Sequence, residues 1–298
     1  MRTDVGIIDV MVQCQFGKER LEFPFARELL RDEESLRAWP SLGIVSHMFG
    51  DAADRERESG DPHQVVEAFD LAGIDRGQLP VYPTMSDKQL DQIEQYAPRF
   101  FGTLRVNPHE GYAAVAQMER IIRRRPWIRS VSIMPALLYP PIPPNSKEFY
   151  PIYSKCIELG VPIMMNVGAP GPRVPGATQH PGLYEEVLWF FPELTLVFKH
   201  GGNPWVAECV ALLRKWPNLY YATTAYAPRR YPAEIVQYMR TARDHHVIYG
   251  GYYPALGFDR IVSELRAIEL DDERAAKFLR GNAIKVFGRE TRTAKDRS

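Results

Sequence analysis

Residues 191–205 read FPELTLVFKHGGNPW. Within them, 194–200 is a nearly unbroken apolar run that ends at His200 against Gly201 and Gly202. A strand with one wet face alternates apolar and polar side chains, whereas a strand covered on both faces does not. The run therefore predicts a parallel strand in the interior of an α/β fold. Further runs of the same character occupy 6–13, 78–83, 101–107, 130–135, 161–167, 219–225 and 247–253. Together they make eight strands.

Helix signals lie between the runs. Ser146 is placed to cap a helix whose Phe149, Ile152, Tyr153, Cys156 and Ile157 share one face, with Gly160 stopping it. Ser86 or Asp87 caps a second helix, with Leu90, Ile93 and Ala97 expected inward. Val206, Cys209, Val210 and Leu213 form a third stripe, ended by Trp216 and Pro217. Eight strands alternating with helices predict an α/β fold of the (β/α)8 TIM-barrel type. An open doubly wound sheet is the alternative, but no Gly-rich phosphate fingerprint follows the first strand. The expected domain is a single one over 1–298, with a polar, frayed tail after Gly288. About 65 residues separate the first two strands, against roughly 30 in an ordinary βαβ unit. That insertion, 14–75, is expected to form a helix and a long loop acting as a lid over the barrel mouth.

Composition narrows the partners. Of 298 residues 45% are hydrophobic, ample for a large core, and 37 basic side chains balance 37 acidic ones. A net charge of zero supplies no field for nucleic acid or an anionic membrane. Cys14, Cys156 and Cys209 make no metal-knuckle spacing and read as buried free thiols in a reducing compartment. The start, MRTDVGIIDV, has no apolar signal core, and no run approaches the roughly 18–20 apolar residues of a membrane span. The expectation is a cytoplasmic protein acting on a small molecule, with no cofactor; a homodimer is compatible with the composition.

In such barrels the chemistry sits at the C-terminal strand ends. Those ends carry Asp9, Met11 and Gln13, then Arg105 and Asn107, Met134, Asn166, His200, Thr223 or Thr224, and Tyr252 with Tyr253. His200 can move protons near neutral pH; a structural histidine bonded to a carbonyl is the competing reading. The paired glycines after it are expected to clear space beside its ring. Arg105, charged at the end of a core strand, either meets a carboxylate such as Asp9 or clamps an anionic substrate. Gln13 and Asn166 are suited to orienting a substrate amide, carboxylate or water. In the loop 168–182, Arg173 and His180 are candidate ligand contacts.

Several segments resemble the amidohydrolase-related proteins around aminocarboxymuconate-semialdehyde decarboxylase. FPELTLVFKHGGNPW (191–205) resembles their sixth-strand segment, IYGGYYP (248–254) their eighth, GNAIKVFG (281–288) their C-terminal helix, and 138–168 their fourth-to-fifth-strand unit. The resemblance implies a TIM barrel with a divalent metal at the mouth, but the ligand positions depart from it. Where the family's first strand has His-x-His, this chain has Met11 and Gln13; its strand-five histidine is Asn166 here, and its strand-eight aspartate is Tyr252. Only His200 remains of that set, so no metal site is expected, unless His47, His109 or His180 rebuilds one from the loops.

Two functions follow from the resemblance. The first is a metal-independent hydrolase or decarboxylase of a small carbonyl or carboxylate compound. His200 would be its acid/base, Tyr252 its proton or hydrogen-bond donor, and Arg105, Asn166, Gln13, Asp9 and His180 its substrate contacts, although Asp9 is usually structural in the family. The second is a catalytically inactive barrel that binds a small ligand or a partner protein.

Overall fold

The computed structural model describes residues 4–14, 26–39, 45–50, 61–97 and 99–288. Its eight strands are β1 (Ile7–Asp9), β2 (Ile74–Val81), β3 (Phe100–Arg105), β4 (Ile128–Ile133), β5 (Ile163–Asn166), β6 (Leu196–Lys199), β7 (Leu219–Ala222) and β8 (Val247–Ile248). All neighbours pair in parallel, in sequence order from β1 to β8. Past the last ladder, Val12 bridges Tyr253, and the Gln13 N–H donates to the Tyr253 carbonyl at 2.7 Å. The chain ends of β1 and β8 thereby meet, and the sheet curls into a barrel.

Inside it, Ile8, Val10, Phe101, Met164, Val197, Tyr220, Ala222 and Ile248 form one apolar cluster with Ala283 and Phe287. The last two belong to the helix Asn282–Phe287, which closes the floor of the barrel. The larger core lies between the outward strand faces and the surrounding helices. Above the floor the interior turns polar: Gln78 Nε2 donates to Ser130 Oγ at 3.1 Å.

The helix expectations hold with two corrections, and one strand starts earlier than expected. Ser86 does cap Asp87–Glu94, through a reciprocal capping box with Gln89, and Leu90 and Ile93 are buried. Ala97 lies beyond that helix and is exposed, because the chain leaves the helical path at Gln95 to enter β3. Ser146 caps nothing. Its carbonyl accepts from the Phe149 N–H in a turn, and the helix runs from Tyr150 to Leu159, ended by left-handed Gly160. Finally, β2 begins at Ile74 rather than 78. The charged pair Asp75 and Arg76 near its start hid it from a search for apolar runs.

The insertion after β1 contributes the helices Glu33–Ala38, Ser46–Phe49 and Pro62–Ala72. Its described parts do reach the barrel mouth. The Phe49 ring lies 5.0 Å from that of Tyr252, and Arg173 of the β5 loop pairs with Asp32 and Glu34 at 2.9 and 2.7 Å. The rest of the expected lid, and the tail after Gly288, fall outside the described residues.

The β5 loop is anchored by a close approach of backbones. Gly168 has φ 90°, and a Cβ there would stand 2.8 Å from both the Asn203 oxygen and the Gly202 carbonyl carbon. Main-chain atoms cannot swing aside as a side chain can. Gly168→Ala is therefore expected to cost about 2–4 kcal/mol, combining left-handed strain with the clash, measured by chemical denaturation.

Candidate functional site

The period of two along each strand decides which side chains enter the barrel. On β4 the inward positions are Ser130 and Ser132, both fully buried. On β3 the last inward side chain is Arg105, on β5 Asn166, and on β6 Lys199, an inward neighbour of Val197. These three are 6%, 7% and 3% exposed, so the upper storey of the barrel is polar yet nearly dry.

Arg105 and Lys199 converge on one atom. Arg105 Nη1 donates to Ser132 Oγ at 2.9 Å, and Lys199 Nζ donates to the same oxygen at 2.6 Å. Among the described residues no carboxylate forms an ion pair with Lys199. Burial first, then the charge of Arg105, holds the Lys199 amine well below its usual range. Burial also lowers Arg105, while Tyr82 and Tyr252 act in the opposite direction. Asn166, in register with Lys199 on the neighbouring strand, has a buried Oδ1 with no hydrogen-bond partner among the described residues. A buried acceptor left open is costly and marks a place where a ligand or water completes the network.

His200 follows Lys199 and leaves the strand. It adopts φ 67°, followed by Gly201 at 81° and Gly202 at 69°, a left-handed turn at the mouth. The His200 N–H is held by Thr224 Oγ1 at 2.9 Å, and its ring stands edge-on to Tyr252, with centroids 6.2 Å apart. A non-glycine residue held in this region costs on the order of 1–3 kcal/mol and is found most often at functional sites. Contrary to the expectation from sequence, the glycines do not clear space for the His200 ring. A Cβ on Gly201 would meet the Tyr226 ring at 2.3 Å, and one on Gly202 would meet Cys209 Sγ at 2.5 Å. They admit neighbouring elements to the turn itself. Burial, with the charges of Lys199 and Arg105, keeps His200 well below its ordinary value, so at neutral pH it is a free base.

Asp9 does not line this site and does not pair with Arg105. It is fully buried, and its Oδ1 accepts the N–H groups of Met11 and Gly251 at 2.9 and 2.8 Å. It ties the end of β1 to the segment after β8, which is a structural role. Burial pushes its carboxyl up to about 7, against the lowering effect of those hydrogen bonds and of Tyr249. Because the folded value lies above the unfolded one, stability from this group is present below about pH 4 and is lost as pH rises through 7. The substitution Asp9→Asn would keep an acceptor without a charge. Wild type relative to that variant should thus lose on the order of 4 kcal/mol between pH 4 and 7 and then level off, as read by denaturant melts across that range.

His180 is likewise turned away. Its Nδ1 accepts the Gly182 N–H, its Nε2 lies 3.5 Å from Glu208 Oε2, and its ring packs on Trp205. Arg173 is engaged by Asp32 and Glu34. Gln13 is partly exposed and held by its backbone. Tyr253 stacks flat on Phe258, at 4.2 Å and 7°. An open groove of about 670 Å³ lies farther out along the β5 loop, but its lining includes neither Arg105, Lys199 nor His200.

Among the described residues no three His, Cys, Asp or Glu side chains gather as a metal would require. His47 is exposed, His109 Nε2 faces the Pro140 carbonyl at 2.8 Å, and His180 faces Glu208. The groups that do converge among the described residues are a guanidinium, an amine, an amide and one histidine, without the carboxylates, thiolates or further imidazoles that a divalent metal ion takes. The donor set does not fit one.

Of the candidates named from sequence, His200, Tyr252, Arg105 and Asn166 lie at the upper end of the barrel, together with Lys199, Ser132 and Tyr82, which sequence reasoning did not name. The available signal was parity: Lys199 is two residues from Val197, and Ser132 two from Ser130, on strands whose inward face is fixed by that spacing.

The architecture is shared by solved structures at low identity. An uncharacterised TIM-barrel protein from Bordetella bronchiseptica is 23% identical, with TM-score 0.73 over 94% of this chain and 98% of its own. 5-Carboxyvanillate decarboxylase from Sphingomonas paucimobilis is 15% identical, with TM-score 0.64 over 95% and 99%. 4-Oxalomesaconate hydratase from Rhodopseudomonas palustris is 16% identical, with TM-score 0.62 over 94% and 95%. No curated protein matches the sequence significantly. In the described residues no helix is long and apolar enough to cross a membrane. Residues 51–289 match the amidohydrolase family, and with four-fifths of its length in that match the chain belongs to it.

Proposed function

We propose that this protein is a metal-independent enzyme that decarboxylates or hydrolyses a small carbonyl-bearing carboxylate. The observation that carries the reading is the single Ser132 hydroxyl shared by Arg105 and Lys199 at the dry upper end of the barrel. A buried guanidinium beside a buried amine, both donating to a neutral hydroxyl, favours an anion, and a guanidinium suits a carboxylate in bidentate geometry. Among neighbours of the same fold, 5-carboxyvanillate decarboxylase and 4-oxalomesaconate hydratase are named for carboxylate substrates. A Polaromonas dihydroxybenzoic acid decarboxylase holds manganese and the inhibitor 2-nitroresorcinol. The basic residues here replace what a cation would supply.

Each residue then has a task. Arg105 holds the substrate carboxylate, and the open Oδ1 of Asn166 accepts a hydrogen bond from a substrate or water hydroxyl. Neutral His200 takes a proton and returns it, and Tyr252 donates a hydrogen bond across the mouth.

The test is a panel of hydroxybenzoates, 3-oxo acids and lactones, assayed for CO2 release and ring opening after exhaustive chelation, with elemental mass spectrometry of the same sample. Turnover that survives chelation in metal-free protein is the expected result. Turnover that vanishes with the chelator and returns with zinc or manganese would overturn the metal-independent reading. Carboxylate binding without turnover on the whole panel would favour the inactive ligand-binding barrel.

A further inference from the structure

We infer that Lys199 is the imine-forming amine of this site, and that the substrate is a 3-oxocarboxylate which the enzyme decarboxylates. The inference rests on the carboxylate reading above and names its substrate class.

Lys199 is the last residue of β6 and projects into the barrel, where only 3% of it is exposed. Its amine is one hydroxyl away from the Arg105 guanidinium. A carboxylate and a ketone separated by one methylene match this spacing, with the carboxylate on Arg105 and the ketone carbon before Lys199 Nζ. The environment also keeps the amine reactive. It is almost fully buried and shares its hydroxyl partner with a guanidinium, surroundings that disfavour a second positive charge, and an uncharged amine is the nucleophile in Schiff-base chemistry. The open Oδ1 of Asn166, in register with Lys199, is a second and independent mark of a ligand. On the strand next to Lys199, it is the acceptor available to the hydroxyl of a carbinolamine.

The chemistry balances without any further reactant. Nζ attacks the ketone carbon, and the carbonyl oxygen leaves as water with one proton from the nitrogen and one from solvent, giving an iminium. The bond between C2 and the carboxylate carbon then breaks, CO2 departs, and the electron pair moves into the iminium to form an enamine. C2 takes a proton relayed by His200. Water hydrolyses the new iminium and frees the ketone and the Lys199 amine. The net change is 3-oxocarboxylate plus a proton to ketone plus CO2.

The test uses acetoacetate as the probe. The full chain is incubated with it, reduced with sodium borohydride, and mapped by peptide mass spectrometry, while acetoacetate binding is followed separately by calorimetry. The expected result is an N-isopropyl group on Lys199, absent from Lys199→Arg and from samples without acetoacetate. Binding of acetoacetate with no adduct at Lys199, or adducts only on exposed lysines, would overturn the imine and leave the carboxylate reading standing. Absence of both binding and adduct would overturn both. Because the result is read on wild type, misfolding of the variant cannot mask it.

Discussion

Replacing His200 by alanine is expected to lower turnover by about 10²–10⁴-fold, the range for removing a positioned acid/base. The fold should survive, since the contact that fixes this turn is the backbone N–H of residue 200 to Thr224 Oγ1, which alanine retains. His200→Asn is the stricter control, because asparagine tolerates φ near 67° and cannot take up a proton. Wild-type kcat/KM should stay flat from pH 8 down to 6 and fall only on further acidification. A base works unprotonated, and burial, with the basic neighbours Lys199 and Arg105, holds His200 well below its ordinary value. A limb centred near 6.5 would mean that His200 is not shielded as the structure shows. Unchanged turnover in both variants would remove it from the mechanism.

Arg105→Met should raise the dissociation constant for a small carboxylate by about 10²-fold or more, as expected for losing one side of a buried, charge-assisted hydrogen bond. Stability should move the other way. An arginine only 6% exposed costs desolvation energy, and an apolar side chain of similar volume does not, so the melting temperature is expected to hold or rise. Opposite signs on binding and stability distinguish a ligand-binding arginine from a structural one, whose loss would lower both. Calorimetric titration with benzoate and a thermal melt of the same preparation decide it.

The two substitutions probe features of unequal legibility. His200 stands out in the sequence as a histidine between an apolar run and paired glycines, although a structural histidine was an equal reading of that pattern. Arg105 was visible as a charge at a core strand end, yet its partner was not. The expectation was a carboxylate such as Asp9 or an anionic substrate, and within the chain the guanidinium meets Ser132 and not Asp9. Asp9 lies on the other parity of β1, and its carboxylate reaches across the seam to the Gly251 N–H. Lys199 was passed over as part of an apolar strand, although its spacing from Val197 points it inward. His180 sits in a loop whose path no periodicity specifies, and it packs on Trp205 instead of entering the mouth.

The sequence by itself determined the barrel. Strands covered on both faces must be apolar without alternation, helices between them must carry a stripe and caps, and both patterns are local. The left-handed turn at 200–202 was not among its determinations: the paired glycines read as room for the His200 ring, and the positive φ of all three residues emerges only in the folded chain. Only the tertiary structure decided which polar ends meet. Arg105, Ser132 and Lys199 come from three strands, up to 94 residues apart, and closure of the sheet brings them to one oxygen atom. A strand end has two faces, and a one-residue change of face moves a side chain from the lumen to the helices. That choice is made by register and closure, which depend on every strand at once.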